Sequence, residues 1–365
     1  MKAVVYTKEG KAELCEREKP SLLKDTDAIV RVTLTTICSS DIHILHGAVP
    51  KAARGVILGH EFVGVVEQTG PAVKGVAAGD RVAVNVESFC GSCFYCNHGF
   101  VNNCEDSEGG WMLGCRIDGG QAEYVRIPHA NQGLNRIPEG VSDEAALFTG
   151  DLLSTGYWAA GLGEIKKGDT VLVLGAGPAG LCTMMAAQLY QPKHVIAADT
   201  DEFRLKTAFE NGLADIVVNP KKEDLEKFVK QTSAGRGADC VIEAAGGENT
   251  FELAWKAARP NGIVVLEAMY EKKQVLPLPQ MYGKNLIFKT GGVDACRCDE
   301  ILRLIKEGKL NAECLITHRF PFSKIKEAYR IFEQKQDHII KCAIYFEGLQ
   351  TPVSEISGKD IKLWS

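Results

Sequence analysis

The chain has 365 residues, of which 45% are hydrophobic and 24% are charged, and its formal net charge at pH 7 is -5. This composition is typical of a folded globular protein and lacks the basic excess needed to track nucleic acid phosphates, so nucleic acid is not an expected partner. The length exceeds one ordinary hydrophobic core and predicts two domains.

The opening MKAVVYTKEG predicts a first β-strand, because its apolar run is too short for a signal peptide. A charge-free run at residues 170–192 is interrupted by glycine and proline, which favours a strand, a turn and a buried helix over a membrane span. We therefore expect a cytoplasmic protein. In that reducing compartment the 13 cysteines are expected to be thiols or metal ligands, not disulfides.

Short β-branched runs separated by glycine, proline and aspartate fill residues 1–153 and predict an irregular β-rich domain. In chain order they are KAVVY, DAIVRVTL, VGVVEQ, RVAVNV and EYVRI. No helix-period stretch dominates this part of the chain.

Two stretches of this domain, CSSDIHILHG at residues 38–47 and GHEFVG at residues 59–64, concentrate side chains that bind metals or transfer protons. Cysteine, histidine and glutamate are zinc ligands, and serine and histidine carry protons in many active sites. Singly, each residue also has a structural interpretation: His60 as a core histidine, Ser40 as a turn residue and His43 as a surface histidine.

A four-cysteine lobe follows in FCGSCFYCNHGFVNNCED, with the spacing C-x2-C-x2-C-x7-C. Four thiolates this close can complete a tetrahedral shell around zinc with no position left for substrate, so we predict a structural site. An iron–sulfur cluster is the alternative, but nothing nearby suggests an electron-transfer partner. His98 could replace one thiolate, although a surface position fits it better. The predicted ligands are Cys90, Cys93, Cys96 and Cys104.

From about residue 168, apolar runs alternate with helix-period stretches, which predicts a parallel sheet covered by helices on both faces. The runs are DTVLVLG, HVIAAD, DIVV, ADCVIEA, GIVVLE and LIFKT. After residue 294 the alternation is lost, and a closing strand in IIKCAIYF predicts that the chain returns to the first domain. The predicted divisions are 1–153, 154–294 and 295–347, followed by a polar tail at 348–365 whose alternative role is a subunit-contact arm.

The stretch VLVLGAGPAG ends a predicted strand and opens a helix with G-x-G-x-x-G spacing, which lets a pyrophosphate approach the helix N-terminus. The next strand ends at Asp199, near the offset at which a carboxylate meets an adenosine ribose. A carboxylate there would repel a 2′-phosphate, so we predict NAD over NADP, with Arg204 as the residue that would support a phosphate. The predicted cofactor residues are Gly175, Gly177, Pro178, Ala179, Gly180, Asp199 and Arg204.

Taken together, CSSDIHILHG, GHEFVGVV, the four-cysteine lobe, GDLLSTGY and GAGPAG occur in the order found in the zinc-dependent medium-chain alcohol dehydrogenases. The chain resembles this family over nearly its whole length except the tail. The resemblance implies an α/β protein with a GroES-like β-rich catalytic domain and a doubly wound Rossmann domain, and one catalytic zinc in the cleft between them. It also implies a homodimer or homotetramer.

The resemblance implies that Cys38, His60 and Asp151 bind the catalytic zinc, with Glu61 as a nearby or alternating ligand. A thiolate, a neutral imidazole and a carboxylate together cancel the charge of Zn²⁺ and leave a position for a substrate oxygen. Alone, Asp151 would be interpreted as a helix N-cap. The aspartate in GDLLSTGY is similar to the secondary-alcohol and formaldehyde branches, and Asp41 is expected to support the ligands from outside.

The resemblance further implies a proton relay from Ser40 through the cofactor ribose to His43 and solvent. It places Trp111, Tyr270 and Val293 in the substrate pocket, where each has an equally good interpretation as a core residue. The predicted activity is reversible hydride transfer between NAD and a secondary or primary alcohol. Hydroxysteroids and other bulky alcohols, formaldehyde and polyols stay open as substrates, and a non-catalytic binding protein of the same fold is the alternative of another class.

Overall fold

The computed structural model describes residues 1–8, 10–294 and 297–347, so the predicted tail at 348–365 lies outside the described residues. The strands of the described chain are β1 (Lys2–Lys8), β2 (Lys11–Glu16), β3 (Ala28–Thr35), β4 (Phe62–Thr69), β5 (Arg81–Val84), β6 (Glu87–Ser88), β7 (Gly110–Trp111), β8 (Tyr124–Ile127), β9 (Leu134–Arg136), β10 (Thr170–Leu174), β11 (His194–Ala198), β12 (Ile216–Val218), β13 (Ala238–Glu243), β14 (Ala258–Leu266), β15 (Ile287–Thr290), β16 (Ile316–Pro321) and β17 (Lys341–Tyr345).

The α-helices of the same residues are α1 (Ser39–Leu45), α2 (Phe94–Asn97), α3 (Ala130–Gly133), α4 (Asp143–Ala146), α5 (Leu152–Leu162), α6 (Pro178–Gln188), α7 (Glu202–Glu210), α8 (Leu225–Thr232), α9 (Thr250–Ala257), α10 (Leu278–Met281), α11 (Cys298–Lys306) and α12 (Ile325–Glu333). None of the described helices combines the length and the apolar character needed to cross a bilayer.

A parallel sheet with the strand order β12-β11-β10-β13-β14-β15 forms the second domain. This is the doubly wound order in which a ligand binds outside the carboxyl ends of the central strands. Its central strand TVLVL is buried at every position, as expected for a strand covered by helices on both faces. The α/β prediction for this half of the chain is therefore confirmed.

A second sheet, with the order β16-β17-β3-β4-β5-β9, forms the first domain, and β8 pairs with β3 beside it. Strand β17 lies antiparallel to β3, so the last described strand returns to the sheet of the first domain. Between its strands this domain contains short helices, such as α1, that the sequence pattern did not predict.

Helices α5 and α6 connect the two domains through a close crossing. A Cβ atom on Gly156 of α5 would lie only 2.5 Å from the carbonyl carbon of Cys182 on α6, so the crossing depends on glycine. Buried residues of both domains, such as Val63 and Val173, belong to one apolar core around this contact. This contact fixes the position of the N-terminal end of α5 relative to that of α6.

Candidate metal centre and cofactor site

Four predicted ligands converge although they come from distant parts of the chain. Cys38 is the N-cap residue of α1, His60 and Glu61 immediately precede β4, and Asp151 is the N-cap residue of α5. One ligand atom from each of these four residues lies within 4.8 Å of the others. The imidazole Nε2 of His60 is 3.2 Å from Asp151 Oδ2.

Asp41 orients this ligand set from outside. Its Oδ2 accepts hydrogen bonds from the backbone N–H of Cys38 at 3.0 Å and from Gln121 Nε2 at 3.3 Å. Its Oδ1 lies 3.4 Å from His60 Nδ1, a position that favours the tautomer with Nε2 free to bind a metal. Gln121 is itself held by the hydroxyl of Tyr329, which donates to Gln121 Oε1 at 2.7 Å.

Burial and the neighbouring carboxylates shift the pKa of His60 in opposite directions. Burial lowers the pKa of His60, but the carboxylates of Asp41 and Asp151 outweigh this and raise it well above its ordinary value. The buried carboxylates around this imidazole therefore favour the binding of a cation.

Glu61 forms a buried ion pair with Lys341. Lys341 Nζ donates to Glu61 Oε1 at 2.6 Å and to the carbonyl of Ile37 at 3.0 Å. Burial lowers the pKa of Lys341, but the Glu61 carboxylate reverses this and raises it above its ordinary value. The second carboxylate oxygen of Glu61, Oε2, is buried and has no hydrogen-bond partner among the described residues. It is therefore available to a metal.

The donor chemistry of this set fits zinc. One thiol, one imidazole and two carboxylates are the ligand types found in catalytic zinc sites. The Glu61 oxygen that has no partner among the described residues would be satisfied by a cation, and the same cation would replace the proton that His60 Nε2 shares with Asp151 Oδ2, 3.2 Å away. The residues that would hold it are Cys38, His60 and Asp151, with Glu61 beside them.

The four cysteines of the lobe also lie within 4.8 Å of one another. Two sulfur pairs, Cys90 with Cys96 and Cys93 with Cys104, are each 4.0 Å apart, close to the ~3.8 Å separation of thiolates in a tetrahedral zinc site. Burial raises the pKa of Cys90, but hydrogen bonds from Ser92 outweigh it and lower the pKa to about 6. Burial and the neighbouring thiols instead raise the pKa of Cys96 to about 12, so metal binding would have to displace the proton of Cys96.

His98 lies outside both ligand groups, and its Nδ1 is 2.7 Å from the carbonyl oxygen of Phe94 in the same short helix.

The predicted relay residues lie on one face of α1. Ser40 Oγ is 3.8 Å from the sulfur of Cys38, and His43 follows Ser40 by three residues. His43 Nδ1 is 3.3 Å from Glu271 Oε1 of the second domain, so this histidine lies where the two domains face each other. His46, which had no predicted role, contacts Glu333 Oε1 through Nε2 at 2.7 Å.

The glycine loop has the geometry that its spacing predicts. Gly175 has a φ of +101°, and a Cβ on Gly180 would lie 1.9 Å from the carbonyl oxygen of Gly175. Gly177 is the N-cap residue of α6, with Pro178 at the first helical position and Ala179 following it in the first turn. Only Arg204 Nη1 comes within 4 Å of a Cβ built on Gly177, which leaves the helix N-terminus open to a phosphate.

Asp199 is fixed at the end of β11. Its Oδ2 accepts from the backbone N–H of Ala176 at 2.7 Å and its Oδ1 accepts from Asp201 at 2.9 Å. A carboxylate has about four acceptor positions, so both oxygens can also accept from ribose hydroxyls. Arg204 lies nearby, with Nε 3.8 Å from Asp201 Oδ2.

The three predicted pocket residues separate into two places. Trp111 packs edge-on against His60, with ring centroids 5.5 Å apart, and Val293 packs in the same small cluster as Trp111. Tyr270 packs instead with Phe251, Trp255 and Met281, and its hydroxyl donates to Glu243. The described contacts thus place Trp111 beside the ligand His60, Val293 in the same small cluster as Trp111, and Tyr270 in a cluster of the second domain.

Sequence reasoning missed two buried charged residues of this site, Glu87 and Lys341. Lys341 is a single cation in the apolar run IIKCAIYF, and Glu87 follows the apolar run RVAVNV. A charged side chain in a buried strand requires a partner, and that was the available signal.

Comparison with known proteins places this geometry in a family. Residues 24–139 match the family model described as alcohol dehydrogenase GroES-like domain, and residues 178–305 match the model described as zinc-binding dehydrogenase. An alcohol dehydrogenase of Cupriavidus necator is 35% identical over 94% of this chain and 98% of its own length. The chain belongs to the zinc-dependent medium-chain alcohol dehydrogenase family.

Solved structures of this family superpose closely on the chain. The apo form of zinc dependent alcohol dehydrogenase 2 from Streptococcus pneumonia has a TM-score of 0.90 and 38% identity, covering 96% of this chain and 100% of its own. The alcohol dehydrogenase rspB from E. coli CFT073, complexed with cofactor NADH, has a TM-score of 0.86 and 31% identity, covering 95% of this chain and 99% of its own. The predicted family and its two-domain fold are confirmed.

Proposed function

We propose that this member of the family is a zinc- and NAD-dependent enzyme that transfers hydride reversibly between a secondary or primary alcohol and the nicotinamide. One observation carries the proposal: Asp151 and Gly177 are the N-cap residues of α5 and α6, and these two helices pack together at Gly156. A metal ligand and the phosphate loop therefore start from two helices held in fixed contact, as direct hydride transfer between neighbouring ligands requires.

Zinc, when bound by Cys38, His60 and Asp151, supplies a Lewis acid that lowers the pKa of an alcohol and polarises a carbonyl group. Asp41 holds the imidazole of His60 in the tautomer suited to that metal. Ser40, next to Cys38, accepts the proton of the alcohol on its hydroxyl oxygen while its own hydroxyl proton passes to the cofactor ribose, which continues the relay to His43. His43 carries this proton onward, because its side chain is 28% exposed at the edge of the cleft.

Asp199 supports NAD as the cofactor. Its carboxylate oxygens face the adenosine end of the glycine loop, where they can accept from both ribose hydroxyls and would repel a 2′-phosphate. One structural relative is complexed with NADH and another is bound to NADP, so the proposed preference rests on Asp199 alone. Arg204, whose guanidinium lies near Gly177, is the group that favours the alternative cofactor NADP.

The test is a set of initial rates for purified, zinc-replete protein with NADH and with NADPH. The carbonyl substrates are graded in size from formaldehyde through small ketones and cyclic ketones to steroids. We expect turnover with NADH and at least about tenfold weaker turnover with NADPH. Preference for NADPH would overturn the assignment to Asp199. Absence of turnover with both cofactors, in protein that carries two zinc ions per chain, would favour the non-catalytic binding protein.

We also propose that the second domain pairs with a second copy of the chain through β15. Among the described strands β15 lies at the edge of the sheet, and large apolar side chains are exposed along the preceding segment and on β15 itself. They are Met269, Val275, Leu276, Leu278, Tyr282 and Ile287. Sedimentation should show a dimer or tetramer that Ile287→Asp weakens, and a native monomer would contradict the proposal.

A further inference from the structure

A cavity of about 830 Å³ lies at the edge of the second domain's sheet that is opposite to the glycine loop. Its wall includes Ala258, the first residue of β14, and Gly235 and Arg236 from the loop that leads into β13. The glycine loop instead follows the carboxyl end of β10, and the strands of this sheet are parallel. The cavity is therefore separate from the cofactor site, and its volume is in the range of pockets that bind small molecules.

Cationic side chains dominate the wall of this cavity. Among the described residues that line it, Glu226 is the only acidic one. The chain as a whole has a formal net charge of -5, so overall composition does not account for this local excess of positive charge. A concave surface of one sign attracts ligands of the opposite sign. The cations of the wall are Lys230, Arg236, Lys256, Arg259 and Lys284.

Neighbouring carboxylates compensate only part of this charge. Three of the cations have an acidic partner: Lys230 pairs with Glu226, Lys256 with Glu252, and Arg259 with Asp239. Arg236 and Lys284 have no acidic partner among the residues that the structure describes. Two uncompensated positive charges match a phosphate monoester, which carries nearly two negative charges at pH 7.

The end of α9 holds Lys284 in place. Its Nζ donates to the carbonyl oxygens of Trp255 at 2.8 Å and of Lys256 at 2.9 Å, in the last turn of the helix, where carbonyls lack intrahelical partners. An ammonium group has three donors, so one N–H remains for a ligand. Burial lowers the pKa of Lys284 more than the carboxylate of Glu226 raises it. A bound anion would therefore stabilise the charged form.

The indole of Trp255 forms a rigid wall beside two of the cations. Trp255 is only 5% exposed and packs with Phe251 and Met281. The Nζ atoms of Lys256 and Lys284 lie 5.7 Å and 5.6 Å from the centroid of its ring. These contacts restrict both ammonium groups before a ligand arrives, which lowers the entropy cost of binding.

The loop that carries Arg236 is fixed by its neighbours. Gly237 has a φ of +107°, and a Cβ on it would lie 2.8 Å from the carbonyl oxygen of Ala257, so the loop packs directly on the end of α9. The N–H of Gly237 donates to Ser233 Oγ at 2.8 Å. Within the described chain, no acceptor takes a hydrogen bond from the guanidinium of Arg236. Its five N–H donors are therefore available to a ligand.

We propose that this cavity binds the phosphate group of a small phosphorylated metabolite, with Arg236 and Lys284 contacting the phosphate and Trp255 packing against the carbon skeleton. The guanidinium can donate two parallel hydrogen bonds to phosphate oxygens, and the ammonium one more. Glu226 does not oppose this anion, because Lys230 neutralises it at 2.7 Å. The site uses no metal ligand and no residue of the glycine loop, so it is independent of the proposed function.

The test measures binding by calorimetry to the full-length, zinc-replete protein with saturating NADH, which keeps phosphate out of the glycine loop. The probes are inorganic phosphate, glycerol 3-phosphate, ribose 5-phosphate and glucose 6-phosphate, with glycerol, ribose and glucose as their uncharged counterparts. We expect one saturable site per chain and at least one ester that binds about threefold or more tightly than inorganic phosphate. Added salt should weaken this binding.

Two variants assign the binding to this cavity. Arg236→Gln and Lys284→Met should each raise the Kd of that ester by at least about tenfold, because each removes a charged hydrogen bond to the phosphate. Arg236→Lys keeps the charge and should recover part of the affinity. Lys193→Gln is the matched control, since it removes an exposed cation at the amino end of β11, on the same edge of the sheet and outside the cavity wall. Its Kd should equal that of native protein.

The results that contradict the proposal are equally specific. Native protein without saturable binding overturns it, and so does native affinity in both Arg236→Gln and Lys284→Met. Equal Kd values for inorganic phosphate and all three esters indicate an adventitious ion only. Gln280 of the cavity wall adjoins the apolar segment proposed to pair two chains, so sedimentation of each variant accompanies the titrations. Dissociation of the native assembly in Arg236→Gln would assign the cavity to the subunit contact instead of a ligand.

Discussion

The two candidate metal sites of this chain are assembled in opposite ways. The lobe takes all its ligands from 15 consecutive residues, Cys90 to Cys104, and each of its cysteines is partly exposed. The cleft takes its ligands from the ends of α1, α5 and β4, and His60 and Glu61 are almost fully buried. A local site requires only its own loop, whereas the cleft exists only when the whole fold is in place.

This difference extends to the residues around each site. Backbone N–H groups of the lobe itself donate to its sulfurs, such as Ser92 to Cys90 at 3.4 Å. The cleft instead uses side chains from far along the chain, since Gln121 fixes Asp41 and Lys341 fixes Glu61. We therefore expect changes in the cleft to affect catalysis and global stability together, and changes in the lobe to stay local.

The largest effect is expected for His60→Ala. Loss of this ligand should leave one zinc ion per chain, in the lobe, and lower kcat/KM by at least about 10³-fold, because the Lewis acid is lost. Metal analysis and steady-state kinetics measure both quantities. His98→Ala is the matched control, since His98 belongs to neither ligand group. Two zinc ions per chain together with native activity would show that His60 is a core histidine.

A smaller effect is expected for Lys341→Met. Removing the ammonium leaves the Glu61 carboxylate buried without its partner, which should lower the free energy of unfolding by about 4 kcal/mol. Denaturant unfolding measures this quantity. Lys341→Arg keeps the charge and should cost much less. Equal stability of Lys341→Met and native protein would mean that Glu61 is neutral or bound to another cation.

Cys104→Ser tests whether the lobe is as independent as its geometry indicates. We expect loss of one zinc ion per chain and a fall of about 3 kcal/mol in the free energy of unfolding, with activity of the folded protein within about tenfold of native. Cys15→Ser, which changes a thiol outside both ligand groups, is the control. Loss of both zinc ions from Cys104→Ser would show that the two regions are coupled.

The smallest expected effect is a pH dependence of stability that arises from Glu267, which follows β14 in the second domain. Burial raises the pKa of Glu267 from an ordinary value of 4.5 to about 7, although the hydroxyl of Thr183 opposes the rise. Protonated Glu267 contributes fully to the free energy of unfolding below pH 4.5. This contribution is lost as the pH rises to about 7, because the unfolded chain releases the proton at lower pH than the folded chain. We expect the free energy of unfolding to fall by about 2 kcal/mol over this range. This is less than the full pKa shift implies, because part of the Glu267 side chain is exposed to solvent.

Glu267→Gln should flatten this pH dependence, because an amide does not titrate in the range. Thermal unfolding at several pH values, compared with the same series for Glu210→Gln on the exposed face of α7, measures the difference. A slope that is equal in native protein and Glu267→Gln would assign the pH dependence to other groups.

The features that the sequence predicted are those set by residues close together in the chain, and the features it missed depend on contacts between distant residues. The strands of the second domain and the clustering of the four lobe cysteines were predicted from patterns of fewer than 20 residues, because period and spacing decide them. The helix α1 was missed, since CSSDIHILHG is short and is stabilised by Asp41 capping and by its packed neighbours. The place of Tyr270 could not be read from position, because it depends on how the segment after β14 packs.

By itself, the sequence determined the alternating second domain, the glycine loop, the four-thiol lobe and the family to which the chain belongs, since all of these are encoded by local pattern. Only the tertiary structure decided that Glu61 has Lys341 as its partner, that Trp111 borders His60, and that Glu87 is buried with an unsatisfied oxygen. Burial and distance between residues far apart in the chain set these properties, and neither quantity is written in any short stretch of sequence.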